Sequence, residues 1–357
     1  MSSLTATFVA SSIERRVPLS VQIDLTMRCN EVCVHCYRVV EDREELTGDE
    51  IKSLLDDLAS LGTLYLTFSG GEVFLRRDLF EIIEYAKRGR FDVRLKSNAL
   101  LVTEARARRL RALGVRQVDV SIYAADPTVH DAVTKVPGSL QRTIAGITHL
   151  AATGLRVKIN CPIMRANVAV YGDVKRLADR LGVACGFDPM ITAKNDGDTA
   201  PLALRIKPLD YQRVARDPLV NGAAALPPSP PGVRADLDEA PCGASHSACY
   251  VSSYGDVMPC VAMPIACGNL REQRFRDIWY ASPQMMRVRA VRVRDLTTCH
   301  ACTASAFCTR CPGQAMVEDG DLLAPSTAAC EQALAGAQAV GSPEIPASML
   351  RPAIFSH

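Results

Sequence analysis

Three cysteines lie close together in the segment TMRCNEVCVHCYR, at Cys29, Cys33 and Cys36. Three thiolates from one loop can hold three corners of a 4Fe-4S cube, which leaves the fourth iron open to a ligand from outside the chain. The alternatives are three unrelated core cysteines or a zinc knuckle in which His35 supplies the fourth ligand. The spacing therefore predicts a metal centre with one reactive corner, and structural zinc is its rival.

The C-terminal part of the chain holds a second and larger set of cysteines. Its members are Cys242, Cys249, Cys260, Cys299, Cys302, Cys308, Cys311 and Cys330. Eight cysteines make two sets of four, which is the number that two closed 4Fe-4S clusters need. Paired Cys-x2-Cys units also describe a zinc ribbon, which stays as the alternative. Cys161, Cys185 and Cys267 are typical of buried small apolar side chains, although Cys161 could instead donate a hydrogen atom or bind substrate.

Polar residues that could hold a ligand follow several apolar runs. Phe68 is followed by Ser69, Gly70, Gly71 and Glu72. Two glycines let the backbone approach a ligand closely, and a carboxylate beside exposed carbonyls suits an ammonium group. Later runs end in Ser97, Asn98, Ser121 and Asn160. An ordinary turn, or a polar loop residue with its hydrogen bonds satisfied, is the alternative for each.

The elements that must position these residues alternate between strands and helices. Short apolar runs occupy 19–25, 63–68, 91–95, 117–122, 157–163 and 184–190. Helical patterns occupy 49–61, 78–89, 103–113, 139–153 and 168–181. Thr47 before Asp49 and Glu50 predicts a capped helix start, and Gly62, Gly114 and Gly154 predict helix ends. Six strands joined by helices predict an α/β fold, a partial (β/α)6 TIM-like barrel with its chemistry at the carboxyl ends of the strands.

The alternating pattern breaks after about residue 195. The segment LPPSPPGVRADLDEAP is unlike a helix or a central strand because of its prolines. The sequence therefore predicts a barrel domain at 1–195, a linker at 196–241, a small cysteine-rich domain at 242–340 and a loose tail at 341–357. One helix is predicted in the second domain, near 272–293.

Composition limits the classes of protein to which the chain can belong. It has 357 residues, of which 48% are hydrophobic, and a net charge of +2. Such a balance gives no indication of a nucleic-acid or membrane partner. The N-terminus lacks a basic region ahead of an apolar stretch, so we expect an intracellular, cytoplasmic protein. In that compartment, clustered cysteines favour metal over disulfides.

The first cysteine motif resembles the signature of the radical SAM superfamily, in which an aromatic residue, here Tyr37, follows the third cysteine. The resemblance implies that the open iron chelates S-adenosylmethionine (SAM), whose cleavage gives a 5'-deoxyadenosyl radical. Gly70, Gly71 and Glu72 match the motif that binds the SAM amino group. The other cofactor-binding residues that the resemblance implies are Tyr37, Ser69, Ser97, Asn98, Ser121 and Asn160. The family often has an arginine where this chain has Thr134, and Lys135 could supply that charge.

The C-terminal cysteines resemble the SPASM extension of radical SAM enzymes, in which four residues separate a glycine, here Gly255, from the cysteine that matches Cys260. The resemblance implies a first auxiliary 4Fe-4S cluster on Cys242, Cys249, Cys260 and Cys311. It implies a second on Cys299, Cys302, Cys308 and Cys330, and so three 4Fe-4S clusters in all. The family usually has three residues between the last two cysteines of this central run. This chain has two, Thr309 and Arg310, between Cys308 and Cys311.

SPASM proteins commonly act on peptides, so the resemblance predicts a maturase that oxidises or cross-links a ribosomally made peptide. It also implies a separate leader-recognition protein and a flavodoxin or ferredoxin as reductant. A sulfatase-maturing enzyme is a rival, although Val261 stands where those enzymes carry an aspartate. An oxidase acting on a tetrapyrrole or carbohydrate is another. A non-catalytic zinc or iron-sulfur scaffold is a hypothesis of a different class, and the intact Gly70, Gly71 and Glu72 argue against it.

Overall fold

The computed structural model describes residues 3–221, 236–302 and 304–339. Six parallel strands form the first part of its sheet. They are β1 (Ser20–Thr26), β2 (Tyr65–Gly70), β3 (Asp92–Ser97), β4 (Gln117–Ser121), β5 (Arg156–Pro162) and β6 (Ala184–Asp188). Each strand pairs with its predecessor in the chain. All six predicted strands are present, and the predicted α/β fold with a partial barrel is confirmed.

Helices connect these strands and cover the outer face of the sheet. They are α1 (Ser3–Glu14), α2 (Gly48–Ser60), α3 (Leu79–Arg88), α4 (Glu104–Ala112), α5 (Pro127–Thr134), α6 (Ser139–Ala152) and α7 (Tyr171–Leu181). Thr47 and Glu50 form the expected capping box at the start of α2. Gly62, Gly114 and Gly154 all have positive φ, as a helix stop requires. The sequence did not predict α1 or the short α5.

Alternation along the strands separates the two faces of the sheet. In β3, Val93 and Leu95 are fully buried in the main core, while Lys96 between Leu95 and Ser97 lines a cavity inside the barrel. In β1, Ile23 belongs to the same core, and Asp24 turns to the other side, where it accepts a hydrogen bond from Tyr250. Apolar residues therefore pack under the helices, and polar ones face the barrel interior.

The sheet continues into the C-terminal part of the chain. Strand β7 (Ala248–Val251) pairs in parallel with β1, and β8 (Asp256–Met258) and β9 (Gly268–Asn269) follow in antiparallel order. The order of the nine strands is β6-β5-β4-β3-β2-β1-β7-β8-β9. The Tyr250 hydroxyl donates to the buried Asp24 carboxylate at 2.9 Å. The barrel and the cysteine-rich domain thus share one sheet.

The segment expected to be a linker contains helices in its first half. A 3-10 turn at Ala200–Leu204 precedes α8 (Pro208–Arg216) and α9 (Pro218–Asn221). Helix α8 packs against α13 (Thr327–Ala339), and Gln212 Nε2 donates to Gln338 Oε1 at 2.7 Å. Most of the proline-rich stretch and the predicted tail at 341–357 lie outside the described residues.

The C-terminal domain has more helices than the sequence predicts. In place of one helix near 272–293 there are two, α10 (Phe275–Ala281) and α11 (Pro283–Ala290). Pro283 ends the first because a residue before proline avoids helical geometry, and proline is favoured at the start of the second. Helix α12 (Pro312–Asp319) begins directly after Cys311.

Candidate active site

A cavity of about 410 Å³ lies at the carboxyl ends of the parallel strands. It brings together eleven of the predicted site residues from distant parts of the barrel. They are Cys29, Cys33, Cys36, Tyr37, Ser69, Gly70, Gly71, Ser97, Asn98, Ser121 and Asn160. The three cysteines of the first motif therefore open into the same space as the polar strand ends, as a bound ligand shared between them would need.

The first cysteine loop is fixed by backbone hydrogen bonds. Val32 N donates to Thr134 O at 3.1 Å and Val34 N to Val133 O at 3.0 Å, so the end of α5 holds the middle of the loop. The Cys33 thiol lies 3.7 Å from the Tyr123 hydroxyl. Burial raises the pKa of the Cys33 thiol well above its ordinary value, and the neighbouring carboxylate of Glu31 raises it further.

The two glycines after β2 hold the turn against the start of the cysteine loop. Gly71 N donates to Thr26 O at 2.7 Å, and Glu72 N donates to Arg28 O at 2.8 Å. Gly70 has a φ of +122°, which only glycine adopts easily. A Cβ on Gly71 would lie 2.0 Å from Arg28 O. These positions require glycine because one backbone lies directly on another.

Glu72 does not face the cavity. Its side chain is fully buried, and its carboxylate accepts hydrogen bonds from Phe74 N at 3.1 Å, Ser97 Oγ at 2.9 Å and Asn98 N at 2.7 Å. Burial raises the pKa of Glu72, although these donors lower it. The carboxylate expected beside a ligand ammonium instead joins the ends of β2 and β3, and the backbones of Gly70 and Gly71 line the cavity.

Six charged residues that line the cavity were not predicted from the sequence. They are Glu31, Arg38, Lys96, Asp188, Lys194 and Glu318. Lys96 could have been predicted, because it directly precedes Ser97 at the carboxyl end of β3, where the sequence already placed ligand-binding residues. Lys135, by contrast, is the left-handed C-cap of α5 and does not line this cavity. Thr134 is buried, and its hydroxyl lies 2.7 Å from that of Ser139. Neither therefore stands in for the family's arginine at the cavity.

Three cysteines predicted for the first auxiliary cluster lie near one another. Burial raises the pKa of Cys242, and the charges of Cys311 and Cys260 raise it further. Cys249 is 4% exposed. Burial raises the pKa of its thiol, and the charges of Cys267 and Cys260 raise it further. Its thiol donates to Met258 O at 3.3 Å. Cys249 therefore lies within electrostatic range of both Cys260 and the unassigned Cys267.

The four cysteines predicted for the second auxiliary cluster also come together. Burial raises the pKa of Cys330 to about 12, and the charges of Cys308, Cys299 and Cys302 add to this effect. Cys330 belongs to α13, far along the chain from the other three. The fold thus brings the last cysteine back to the central run.

These thiols have the chemistry that iron-sulfur clusters need. Thiols that are grouped together are ionised when a metal supplies the compensating positive charge. Within residues 3–221, 236–302 and 304–339, no three His, Cys, Asp or Glu side chains converge on one point that could hold a single metal ion.

The remaining cysteines do not enter the cavity. Cys161 is 1% exposed and lies in the main core, with its thiol 3.8 Å from Tyr123 O. Cys185 packs against the same core, and Cys267 belongs to it. Cys161 and Cys267 match the expected buried small side chains, whereas Cys185 is only partly buried. Cys161 does not line the cavity, where it could donate a hydrogen atom.

The C-terminal domain supplies one wall of the cavity. The lining residues from this domain are Val261, Ala262, Gln314, Val317 and Glu318. Val261 follows Cys260 directly and places an apolar side chain at the position where sulfatase-maturing enzymes have an aspartate. The polar lining residues of this domain, Gln314 and Glu318, both belong to helix α12.

In the part of the chain that the structure describes, no helix is long and apolar enough to cross a bilayer.

Comparison with protein families gives two matches. The model of the radical SAM superfamily matches residues 23–169, and that of the SPASM iron-sulfur cluster-binding domain matches residues 242–303. The resemblance seen in the cysteine motifs is thereby confirmed over both parts of the chain.

Individual relatives and structures agree with the family models. An AdoMet-dependent heme synthase of Methanosarcina barkeri is 30% identical over 86% of this chain and 94% of its own. The mycofactocin maturase MftC of Mycobacterium tuberculosis is 28% identical over 76% of this chain and 73% of its own. The structure of Streptococcus suis SuiB bound to the precursor peptide SuiA is similar in fold, with a TM-score of 0.71 at 16% identity. That match covers 92% of this chain and 80% of SuiB.

Proposed function

The chain belongs to the radical SAM superfamily and carries a SPASM domain, and on this premise we propose that it oxidises or cross-links a ribosomally made peptide. As a member of the family it uses SAM and a 4Fe-4S cluster, with auxiliary iron-sulfur clusters in the SPASM domain. We assign the SAM cluster to Cys29, Cys33 and Cys36. The auxiliary clusters are assigned to the two sets of C-terminal cysteines predicted from the sequence.

SAM bound to the reduced cluster supplies a 5'-deoxyadenosyl radical, which takes a hydrogen atom from carbon. The backbones of Gly70 and Gly71, with Ser97, Asn98 and Asn160, would hold SAM at the strand ends. Glu72 would act indirectly, by fixing Ser97 and Asn98 in place. Closing a cross-link would remove a second hydrogen from the peptide; its proton would pass to solvent, and the auxiliary clusters held by the C-terminal cysteines would supply an acceptor for its electron.

The observation that carries the peptide assignment is the mixture of cationic and anionic groups in the cavity wall. Among the described residues that line it, Arg38, Lys96 and Lys194 are cations and Glu31, Asp188 and Glu318 carry carboxylates, of which Glu318 is paired with Arg205 outside the lining. A peptide backbone is neutral and needs paired donors and acceptors. A tetrapyrrole with several carboxylates would need an excess of cations. Similarity to the mycofactocin maturase adds support.

The proposal includes two protein partners. Peptide maturases need their substrate's leader segment to be bound, and we assign that task to a separate recognition protein. Electrons for SAM cleavage would come from a flavodoxin or ferredoxin, since cleavage consumes one electron from the cluster in each turnover.

A tetrapyrrole oxidase is the second candidate. It is favoured by the similarity to an AdoMet-dependent heme synthase, which extends over 94% of that relative. Sulfatase maturation has less support, because Val261 provides no proton acceptor where those enzymes have an aspartate.

The test uses anaerobically purified and reconstituted protein with SAM and dithionite. It is incubated in turn with synthetic peptides translated from the short reading frames that flank its gene, and with Fe-coproporphyrin III. The proposal predicts that one peptide loses about 2 Da, the mass of two hydrogens, while the porphyrin is unchanged. Unchanged peptides together with a change in the porphyrin's mass and absorption spectrum would establish the second candidate instead.

A further inference from the structure

Gln314 carries a buried amide group without a partner. The residue is 4% exposed, and within the described parts of the chain its Nε2 atom has no hydrogen-bond acceptor. It lines the cavity at the strand ends. An unsatisfied buried donor costs about 1–3 kcal/mol, and such groups are rare in folded proteins. A donor left unpaired in the wall of a binding cavity indicates that a ligand supplies its acceptor.

The packing of α12 fixes the position of this amide. Pro312 begins the helix, and a Cβ on Gly313 would lie 2.1 Å from Ala262 O. Helix and loop are therefore in direct backbone contact just after Cys260 and Cys311. This contact holds Gln314 in place before any ligand binds.

Glu318 lies one helical turn further along α12 and also lines the cavity. Its carboxylate is 2.6 Å from the guanidinium of Arg205, which also donates from Nε to Ile191 O at 2.8 Å. The Glu318 side chain is 6% exposed. Arg205 balances its charge and restrains it, and a carboxylate has further lone pairs for a second donor. Residues four apart share one face of a helix and are separated by about 6 Å along its axis.

We propose that this face of α12 recognises the backbone of an extended peptide, with Gln314 donating to a carbonyl oxygen and Glu318 accepting from an N–H group. The inference rests on the proposed function and specifies how that substrate is held. Along one edge of an extended chain, carbonyl and N–H groups alternate. A donor and an acceptor on one face of a helix can therefore contact unlike groups on the same edge of the peptide.

The other molecules expected in the cavity suit these two groups less well. Every residue that we assign to SAM belongs to the cysteine loop or to the strand ends of the barrel, whereas Gln314 and Glu318 belong to the C-terminal domain. The rim of a tetrapyrrole presents carboxylates, which are acceptors and offer no donor to the Glu318 carboxylate. A neutral backbone satisfies both groups at once.

The experiment measures the affinity of the reconstituted, SAM-loaded protein for the peptide that it modifies, labelled for fluorescence anisotropy. The variants are Gln314→Leu and the nearly isosteric Gln314→Glu, and Gln284→Leu on the exposed surface of α11 is the matched control. Iron content and SAM cleavage without peptide establish that each variant holds its clusters. We expect Gln314→Leu to weaken peptide binding about fivefold to tenfold. Gln314→Glu should weaken it further, since it presents an acceptor to a carbonyl, and Gln284→Leu should leave it unchanged.

A scan of the same peptide with single ester bonds separates recognition from a structural effect. An ester carbonyl is a poorer hydrogen-bond acceptor than an amide carbonyl. The ester at the carbonyl that Gln314 contacts should therefore weaken peptide binding to the wild-type protein, and it should not weaken binding to Gln314→Leu any further. Equal affinities of wild type and both Gln314 variants for a peptide that the wild type modifies would overturn this inference alone. If the wild type modifies none of the peptides, the proposed function fails as well. If the Gln314→Leu protein loses iron, the peptide affinity of Gln314→Glu alone tests the inference.

Discussion

Replacing Gly71 with alanine tests how the barrel fixes the cysteine loop. The new Cβ would lie 2.0 Å from Arg28 O and 2.8 Å from Met27 O, and both of these are backbone atoms. Contacts under 3.0 Å are essentially never seen for real Cβ atoms. Gly71 is not among the glycines with positive φ, so the effect is purely steric. The Arg28 carbonyl must move by about 1 Å, because neither side of this contact is a flexible side chain.

Arg28 directly precedes Cys29, so the displacement reaches the first proposed ligand of the SAM cluster. A misplacement of about 1 Å in a reacting centre can lower its rate about 100-fold. We therefore expect Gly71→Ala to form 5'-deoxyadenosine about 100 times more slowly than wild type. The hydrogen bond from Glu72 N to Arg28 O, at 2.8 Å, would be weakened at the same time.

The assay compares 5'-deoxyadenosine formation from SAM and dithionite, with iron content measured on the same samples. Gly172→Ala on α7 is the matched control, since its Cβ would meet Leu219 Cδ1 at 3.5 Å and Arg176 Nη1 at 4.0 Å, which are ordinary contacts with side chains. The control should cleave SAM at the wild-type rate. A Gly71→Ala protein that cleaves SAM within twofold of wild type would refute the argument that this contact positions Cys29.

Three further predictions concern other parts of the molecule. Tyr250→Phe removes a donor from buried Asp24 and should lower the free energy of unfolding by about 1–3 kcal/mol at pH 8. Burial raises the pKa of Asp24, so the folded state loses stability as pH rises through that pKa and the carboxylate ionises; the loss in Tyr250→Phe should therefore become smaller as the pH is lowered, and an equal loss at every pH in denaturation experiments would contradict this. Lys135→Ala should leave SAM affinity by calorimetry unchanged, and a tenfold loss would place this side chain at the ligand. Cys330→Ser should reduce iron by about four per chain, whereas Cys161→Ala should not, and equal iron in both would contradict the assignment of the second cluster.

Local signals in the sequence were enough to predict the barrel. The capping box of Thr47 and Glu50, and glycines such as Gly62 that end helices, act over a few residues. The cysteine spacing of the first motif is equally local. Parallel strand ends meet at one edge of the sheet, so their polar residues could be assigned to one cavity before the structure was known.

The missed features depend on contacts between distant segments. Strand β7 pairs with β1 across more than 200 residues, and no local pattern in either strand identifies its partner. The orientation of Glu72 depends on donors supplied by Ser97 and Asn98, which become its neighbours only after β2 and β3 have paired. Gln314 follows a proline and a glycine in a short helix, and nothing in that pattern indicates a residue that faces a cavity.

The measurement that tests the central claim most directly is the count of iron and sulfide in anaerobically reconstituted protein, together with SAM cleavage. The account predicts about twelve irons per chain and formation of 5'-deoxyadenosine. When Cys29, Cys33 and Cys36 are changed to alanine, iron should fall to about eight and cleavage should stop. Bound zinc without 5'-deoxyadenosine, or a triple variant that still cleaves SAM, would contradict the account.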